Sequence, residues 1–346
     1  MIFNYLKIRN DIYDKSKAEV IYTKSETPPI ITELNDVIIK LRDSKQIIEK
    51  EFGDISSFNF SRKVFNSGNW TELSKIARGL FINTNTQEII ARGYDKFFNY
   101  KEGNFNQVGW LHDNLKFPVI AYKKYNGYLG LLGYDRSKPV GERMIFCSKS
   151  TINSDYANWF KTIFMYHNID INELESYTEA NNLCYIFEVI DPINDQHIIK
   201  YDKADIILLG AIKRDINFSE VTYEELCKIA KKFNFKVKEQ YKIFDNFDSL
   251  LDFIKSVEMD NISEIEGYVL EDANKYMFKL KGKYYKLWKN LRSIKDKIAK
   301  DHQFKTGFAQ TPIENYFIDW CKKQDKNYLL NSNIIDLRDD FLNKYV

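Results

Sequence analysis

A lysine at a strand end is the strongest candidate for chemistry in this sequence. Lys124 opens the segment Lys-Tyr-Asn-Gly, which is predicted to turn between the apolar strands Phe117–Lys124 and Tyr128–Tyr134. The sheet would fix the lysine Cα, and Gly127 would let the backbone approach a phosphate or a sugar closely. A lysine amine in such a place can act as a nucleophile once it is uncharged. The pattern Lys-x-x-Gly is weak by itself, because it occurs four times in the chain.

The other copies of this pattern differ in their surroundings. Lys50 ends a predicted surface helix and Lys138 lies in a polar turn, so both are interpreted as solvated charges. Lys279 belongs to the run Phe-Lys-Leu-Lys, where strand alternation places Lys279 and Lys281 on one face. Two like charges on one face repel each other unless an anion lies between them, and a phosphate would supply that anion. The alternative is an ordinary solvated strand face.

Two acidic residues and three cations complete the candidate chemistry. Glu266 precedes the apolar run Gly-Tyr-Val-Leu, and Glu188 lies inside a predicted buried strand, where a lone carboxylate needs a partner. The cations lie upstream, beside two glycines and an aromatic pair. They are Arg78, Arg92 and Lys96. Glu266 alone is also consistent with an ordinary edge carboxylate, and each of the three cations with an ordinary surface charge.

The spacing of apolar residues predicts the elements that position these side chains. Glu33–Glu51 is predicted as a surface helix that packs one face inward. Short alternating segments predict strands at Phe58–Phe65, Ala77–Ile82, Glu88–Arg92, Phe117–Lys124, Tyr128–Tyr134, Met144–Ser148, Cys184–Ile190, Ile206–Ile212, Gly267–Glu271 and Tyr276–Leu280. Helices are predicted between them at Asp155–Tyr166, Tyr223–Phe233 and Phe247–Val257. This order predicts an α+β fold of mostly antiparallel sheets with flanking helices.

After Leu280 the pattern is helical to the end of the sequence. It predicts a small all-α region over 290–346, with a boundary near Asn290. Pro312 is expected to open one of its helices.

The composition limits the class of protein. The 346 residues hold 51 Lys+Arg and 49 Asp+Glu, so any attraction to nucleic acid has to come from charge clustered on one face. No run approaches the ~18 apolar residues of a membrane span. The first residues, Met1–Leu6, fit no secretory signal, which predicts a cytoplasmic protein without a membrane segment. The four Cys and four His show no metal-binding spacing, and the common Gly-rich phosphate motifs are absent.

Taken in order, the short motifs resemble those of the covalent nucleotidyltransferase superfamily and, within it, the T-even-phage-type RNA ligase 1 family. The resemblance spans Phe65–Lys289 and rests on Ala-Arg-Gly, Lys-Phe-Phe-Asn, Lys-x-x-Gly-x-Leu, Ser-Lys-Ser, Phe-Glu-Val, Glu-Gly-Tyr-Val and Lys-x-Lys. It implies an ATP-grasp-like adenylyltransferase domain over 1–289 with an N-terminal helical elaboration, followed by the small helical region. It also implies an enzyme that uses ATP and Mg²⁺ or Mn²⁺. Such an enzyme joins RNA 5′-phosphate and 3′-hydroxyl ends through lysyl-AMP and RNA-adenylate intermediates.

The resemblance implies a role for individual residues. Lys124 would be the nucleophile that attacks the α-phosphorus of ATP, while Lys279 and Lys281 would bind that phosphate and depress the pKa of the nucleophile. Glu266 and Glu188 would be metal ligands, with Glu188 facing either the ribose or the metal, since oxygen ligands suit Mg²⁺. The other nucleotide-binding residues would be Arg78, Lys96, Phe98, Gly127, Lys149 and Gly267.

Alternatives stay open at this point. A non-catalytic RNA-binding module would keep the fold and stack bases on Tyr and Phe, but it would require none of the lysines. A capping guanylyltransferase or a DNA ligase would share the lysine chemistry. Phage-type members carry a helical C-terminal domain larger than the region over 290–346 here, which leaves a preference for tRNA, and a role in tRNA repair, open. No obligate protein partner is expected. The C-terminal cations would guide RNA phosphates or form a solvated face; they are Lys289, Arg292, Lys295, Lys297 and Lys300.

Overall fold

A computed structural model describes residues 34–103, 106–195, 197–300 and 311–345 of the chain. The strands, in chain order, are β1 (Ile47–Phe52), β2 (Ile55–Phe60), β3 (Leu80–Asn83), β4 (Glu88–Arg92), β5 (Phe98–Asn99), β6 (Val119–Lys124), β7 (Tyr128–Tyr134), β8 (Met144–Cys147), β9 (Leu183–Ile190), β10 (Asp205–Lys213), β11 (Lys236–Val237), β12 (Gln240–Phe244), β13 (Gly267–Glu271) and β14 (Met277–Lys281). The helices are α1 (Leu34–Asp43), α2 (Arg62–Ser67), α3 (Glu72–Ile76), α4 (Val108–Asn114), α5 (Asp155–Met165), α6 (Ile171–Asn181), α7 (Tyr223–Lys232), α8 (Phe247–Met259), α9 (Lys283–Ala299), α10 (Pro312–Cys321), α11 (Lys326–Asn331) and α12 (Ile334–Tyr345).

Within the described residues the strands form three sheets. A four-stranded sheet has the order β1-β2-β3-β4. One five-stranded sheet, called here the β9 sheet, has the order β11-β10-β9-β7-β8, and the other, the β13 sheet, has the order β12-β6-β13-β14-β5. Paired strands run antiparallel except at β10–β11 and β14–β5. The predicted α+β class with mostly antiparallel sheets is therefore confirmed.

The sequence of β9 explains how the middle of the molecule is built. Its residues Leu-Cys-Tyr-Ile-Phe-Glu-Val-Ile are largely β-branched or aromatic, which suits a strand buried between β7 and β10. Tyr185 and Phe187 face helices α5 and α7, while Cys184 and Ile186 face the other way. Glu188 shares that second face, and it is the residue of β9 that is not fully buried. The strand therefore presents a single carboxylate on an otherwise apolar face.

Two predictions near the start of the described chain are wrong in part. The helix predicted over Glu33–Glu51 ends at Asp43, and Ile47–Phe52 forms β1 instead; residue 33 lies outside the described residues. The apolar spacing fits a helix, but pairing with β2 satisfies the backbone of this segment. The predicted strand Phe58–Phe65 stops at Phe60, because Ser61 caps α2 by accepting from the backbone of Val64.

The chain after β14 is helical, as predicted, and Pro312 occupies the first turn of α10. Helix α9 continues across position 290, so the division of the chain at 289/290 stays a prediction. Lys295 is buried and donates to the backbone carbonyls of Leu329 at 3.1 Å and Ser332 at 3.3 Å. This lysine therefore holds the helices together and does not belong to a solvated basic face. Among the described helices, none combines the length and the hydropathy needed to cross a membrane.

Candidate active site

Residues from three adjacent strands form rows on one face of the β13 sheet. Lys124 on β6 pairs with Gly267 on β13, and Gly267 pairs with Lys281 on β14. The next row on the same face, two residues further along each strand, contains Val269 and Lys279. The prediction that the two β14 lysines share a face is confirmed, and the same face carries Lys124.

The Lys124 amine lies between two carboxylates. Its Nζ is 3.1 Å from Oε1 of Glu266 and 4.0 Å from Oε1 of Glu188. Glu266 is only 4% exposed, and the same oxygen lies 3.1 Å from Nζ of Lys281. One buried carboxylate thus bridges two lysines, and Lys124 is the cationic partner that a carboxylate inside β9 requires.

These charges set the protonation of the candidate nucleophile. Burial would lower the pKa of Lys124, but the charges of Glu188 and Glu266 outweigh burial and raise it above 10.5. Burial would raise the pKa of Glu266, but Lys124 and Lys281 hold it below 4.5. The expectation that Lys279 and Lys281 depress the pKa of Lys124 is therefore wrong for this arrangement, because the carboxylates dominate. Lys124 is a cation held by two anions.

Asn126 fixes the turn that follows Lys124, a role that sequence reasoning missed. Its Nδ2 donates to Oε2 of Glu266 at 3.1 Å, and its backbone N–H donates to the Tyr201 hydroxyl at 2.8 Å. Its Oδ1 accepts from the backbone N–H groups of Ile198 at 2.7 Å and Ile199 at 3.1 Å. The only sequence signal was an Asn before a Gly in a turn, which does not reveal partners more than 70 residues away.

Backbone crowding explains why the positions of Gly127 and Gly267 carry glycine. A Cβ on Gly127 would lie 2.1 Å from the carbonyl oxygen of Val189 on β9. Gly267 has φ +139°, and a Cβ there would lie 2.0 Å from the carbonyl oxygen of Leu280. Both strands can therefore approach their neighbours closely only because these residues lack side chains. Contact of either glycine with a nucleotide stays a prediction.

We expect Gly127→Ala to destabilise the fold by about 2 kcal/mol or more, because a backbone carbonyl cannot move aside as a side-chain tip can. Denaturant unfolding monitored by circular dichroism would measure the change. Gly109→Ala on α4 is the matched control: a Cβ there meets nothing within 4 Å, so this change should be neutral or slightly stabilising. Equal stability of the two variants would contradict the crowding argument.

Lys279 is a second cation at the site, and among the described residues it has no carboxylate partner. Its Nζ lies 4.3 Å from the centre of the Phe97 ring and 3.4 Å from the Phe97 carbonyl oxygen, to which it donates. Burial, together with the charges of Arg78 and Lys96, holds the pKa of Lys279 well below 10.5. Positive charge exceeds negative charge here, so the position favours a bound anion.

The structure places Lys96 and Phe98 beside the site. The Lys96 Nζ lies 3.7 Å from the centre of the Phe98 ring, 5.0 Å from that of Trp70 and 3.7 Å from Oε1 of Glu102. Burial lowers the pKa of Lys96 to about 8. Phe98 is packed in the core, whereas its neighbour Phe97 faces the site. Direct contact of Lys96 and Phe98 with a nucleotide stays a prediction.

A cavity of about 640 Å³ lies between the β13 sheet and the β9 sheet. Six of the predicted site residues line it: Arg78, Lys124, Gly127, Lys149, Glu188 and Lys279. Sequence reasoning missed other residues of its wall, among them Tyr122, Tyr128, Leu129, Leu209, Lys238, Val269, Glu271 and Met277. Most of these belong to strands that the sequence did predict, but the identity of the facing strand was not predictable. Cations around a cleft of this size fit a phosphorylated small molecule.

Comparison with known protein families decides which kind of protein carries this site. A family model described as RNA ligase matches residues 76–285, more than half of the chain. The chain belongs to the RNA ligase family. The predicted site residues of this RNA ligase family member, from Arg78 to Lys281, all lie within the matched span.

Two curated relatives agree with membership in the RNA ligase family. The chain is 26% identical over 296 residues to a tRNA ligase of Candida albicans, which covers 73% of this chain and 34% of that protein. It is 25% identical over 323 residues to tRNA ligase 1 of Schizosaccharomyces pombe, which covers 82% of this chain and 40% of that protein. The chain therefore spans about a third to two fifths of the length of these relatives.

Solved structures show the fold of this RNA ligase family member. Two forms of an archaeal ATP-dependent RNA ligase match with TM-scores of 0.53 and 0.52, each at 13% identity. The matches cover 88% and 89% of this chain and 78% of the archaeal chains. The predicted nucleotidyltransferase fold is confirmed.

Proposed function

We propose that this chain is an ATP-dependent RNA ligase that forms a lysyl-AMP intermediate on Lys124. The observation that carries the proposal is the position of the Lys124 amine, 3.1 Å from Glu266 on the wall of a cavity that also presents Glu188, Arg78 and Lys279. A nucleophilic lysine requires a phosphate within reach, and the surrounding cations provide a place for it. Membership in the RNA ligase family supports the same chemistry.

In the first step the Lys124 Nζ attacks the α-phosphorus of ATP. An N–P bond forms, the bond from the α-phosphorus to the oxygen shared with the β-phosphate breaks, and pyrophosphate leaves with that electron pair. The amine has to give up a proton to solvent before it attacks, because its raised pKa keeps it charged. Lys279 and Lys281 would stabilise the charge that develops on the α-phosphate, and Arg78 would hold the leaving phosphates.

Glu188 and Glu266 are the proposed ligands of a divalent cation. Mg²⁺ commonly takes one or two protein carboxylates and completes its shell with water and substrate phosphates. No group of three or more His, Cys, Asp or Glu in the described part of the chain could hold a metal, so substrate would have to complete the site. When bound, the cation would neutralise the carboxylate charge that keeps Lys124 protonated and would stabilise the transferring phosphate.

RNA ends are the proposed substrates of the later steps. AMP would pass from Lys124 to an RNA 5′-phosphate, and a 3′-hydroxyl would then displace AMP and seal the strand. The named relatives are tRNA ligases, which favours repair of tRNA as the role of this chain. A pure RNA-binding module is disfavoured, because base stacking requires no lysine between two carboxylates.

Transfer of label to the protein tests the proposal. The protein would be incubated with Mg²⁺ and either α-labelled ATP or α-labelled GTP, and the labelled adduct would then be chased with 5′-phosphorylated RNA or DNA. We expect labelling by ATP and release of the label onto RNA. Labelling by GTP would support a capping enzyme, release onto DNA alone would support a DNA ligase, and absence of label would support a binding module.

We further expect Lys289 and Arg292 of α9 to bind RNA but not ATP. The Nζ atoms of Lys281 and Lys289 lie 4.8 Å and 5.8 Å from the centre of the same Tyr285 ring, so basic residues continue from the Lys281–Glu266 ion pair along the helix towards Arg292. The double variant Lys289→Ala/Arg292→Ala should lower sealing about tenfold and reduce its salt dependence, while the rate of adduct formation is kept. Lys300→Ala, at the residue that follows the last turn of α9, is the control. Equal loss of sealing in the control would contradict this assignment.

A further inference from the structure

A second polar group lies on the wall of the cavity, one row beyond Val269. Strand alternation places Gly267, Val269 and Glu271 on one face of β13, and Glu271 pairs with Met277 of β14. Four residues at about 3.4 Å each put the Glu271 row about 14 Å from the row of Lys124. This separation leaves room for a sugar and a base between the phosphate-binding end of the cavity and Glu271.

Glu271 lines the cavity and has one acceptor without a hydrogen bond. Its Oε1 accepts from Nζ of Lys275 at 2.6 Å. Its Oε2 is buried and accepts no hydrogen bond from any residue that the structure describes, although the side chain is only 4% exposed. A buried carboxylate oxygen without a donor is costly, so this oxygen points to a donor that a ligand supplies.

Lys238 presents unsatisfied donors beside this acceptor. It is 8% exposed, lines the same cavity, and its backbone is fixed by an N–H donated to the Leu208 carbonyl at 2.9 Å. Its Nζ lies 3.9 Å from Oε2 of Glu271 and 3.6 Å from Oε1 of Glu220, distances too long for hydrogen bonds. Over the described ranges the ammonium makes no hydrogen bond, yet it has three N–H groups to donate. An acceptor and a donor thus lie side by side on the wall.

We propose that Glu271 and Lys238 form a subsite that recognises the Watson–Crick edge of adenine. Oε2 of Glu271 accepts from the 6-amino group, and Nζ of Lys238 donates to N1. The neighbouring apolar wall residues, which include Leu209, Val269 and Met277, contact the base. The inference rests on the proposed use of ATP and names the groups that select the base.

The same pair of groups disfavours guanine. Guanine carries a carbonyl oxygen where adenine has the 6-amino group, and an N–H where adenine has the N1 acceptor. The Glu271 carboxylate would then face an oxygen, and the Lys238 ammonium would face an N–H. Lys275 already donates to the other oxygen of Glu271, so two guanine N–H groups would have to compete with this lysine for the carboxylate.

Adduct formation with base-modified nucleotides tests the subsite on the unmodified protein. The second-order rate constant of adduct formation would be measured with three nucleotides. These are ATP, purine riboside triphosphate, which lacks the 6-amino group, and 1-deaza-ATP, which lacks N1. We expect each analogue to react about 10- to 100-fold more slowly than ATP, since each loses a hydrogen bond to a charged group. Analogues that react as fast as ATP would overturn the inference, whereas absence of any adduct would overturn the proposed ligase activity instead.

Variants assign each contact to its residue. In Glu271→Gln the rate constants for ATP and for purine riboside triphosphate should become nearly equal. The amide oxygen would turn to Lys275, and the NH₂ group would face the cavity. In Lys238→Met the rate constants for ATP and for 1-deaza-ATP should become nearly equal. Lys242→Met, on the exposed part of β12, should keep both ratios at the wild-type values. If the ratios in Glu271→Gln and Lys238→Met also stay at wild-type values, these residues do not recognise the base.

Discussion

Lys124→Ala should form no detectable adduct with ATP, which is the largest change expected of any single substitution. The variant removes the only atom proposed to bond to phosphorus, so no neighbouring group can replace it at the same place. Labelling with α-labelled ATP, followed by mapping of the labelled peptide in the wild-type protein, would measure this. The variant should stay folded, because Glu266 keeps Lys281 and Asn126 as partners.

Lys123→Ala is the matched control for this experiment. Lys123 is adjacent in sequence and also lines the cavity, but it lies on the opposite face of β6 and contacts Glu239 at 3.5 Å. The Lys123→Ala variant should form the adduct at close to the wild-type rate. Label that persists in Lys124→Ala and disappears in Lys123→Ala would move the nucleophile to the neighbouring lysine.

The strands that could be predicted from sequence are those with clean apolar patterns. β4, β7 and β13 have the bounds that alternation predicted. Helix α6 was missed because its sequence is largely polar; its start is fixed by Asp170, which accepts from the backbone N–H groups of Asn172 and Glu173. Strand β12 was missed because it is a mostly exposed edge strand with little apolar alternation.

The residues of the candidate site also fall into those that the sequence reveals and those that it does not. Lys124, Glu188 and Glu266 could be chosen from sequence because each is a charge at or inside an apolar strand, where an unpaired charge is costly. Glu271 and Lys238 are equally buried charges, but they carry no recognisable motif. The role of these two residues depends on which strands face each other across the cavity. Pairing between distant strands is not encoded in local sequence patterns.

Glu266→Ala should abolish nucleotidyl transfer and also destabilise the protein. Removal of a solvated carboxylate at a strand edge would change stability little. The structure instead shows a buried bridge between Lys124 and Lys281 that also accepts from Asn126. Removal leaves two cations without their shared anion, which costs on the order of 3 kcal/mol. Urea unfolding of wild type and variant at pH 7 would measure the difference.

The pH dependence of this difference separates an ion pair from simple packing. Because Lys124 and Lys281 hold the pKa of Glu266 below 4.5, its stabilising effect is present above pH 4.5 and is lost as the pH falls through the folded-state pKa. Glu266→Gln, which keeps the shape, should therefore be less stable than wild type at pH 7 and approach it in acid. Equal stability of Glu266→Gln and wild type at every pH would mean that shape matters more than charge. The loss of transfer would then have to be explained by displacement of Lys124.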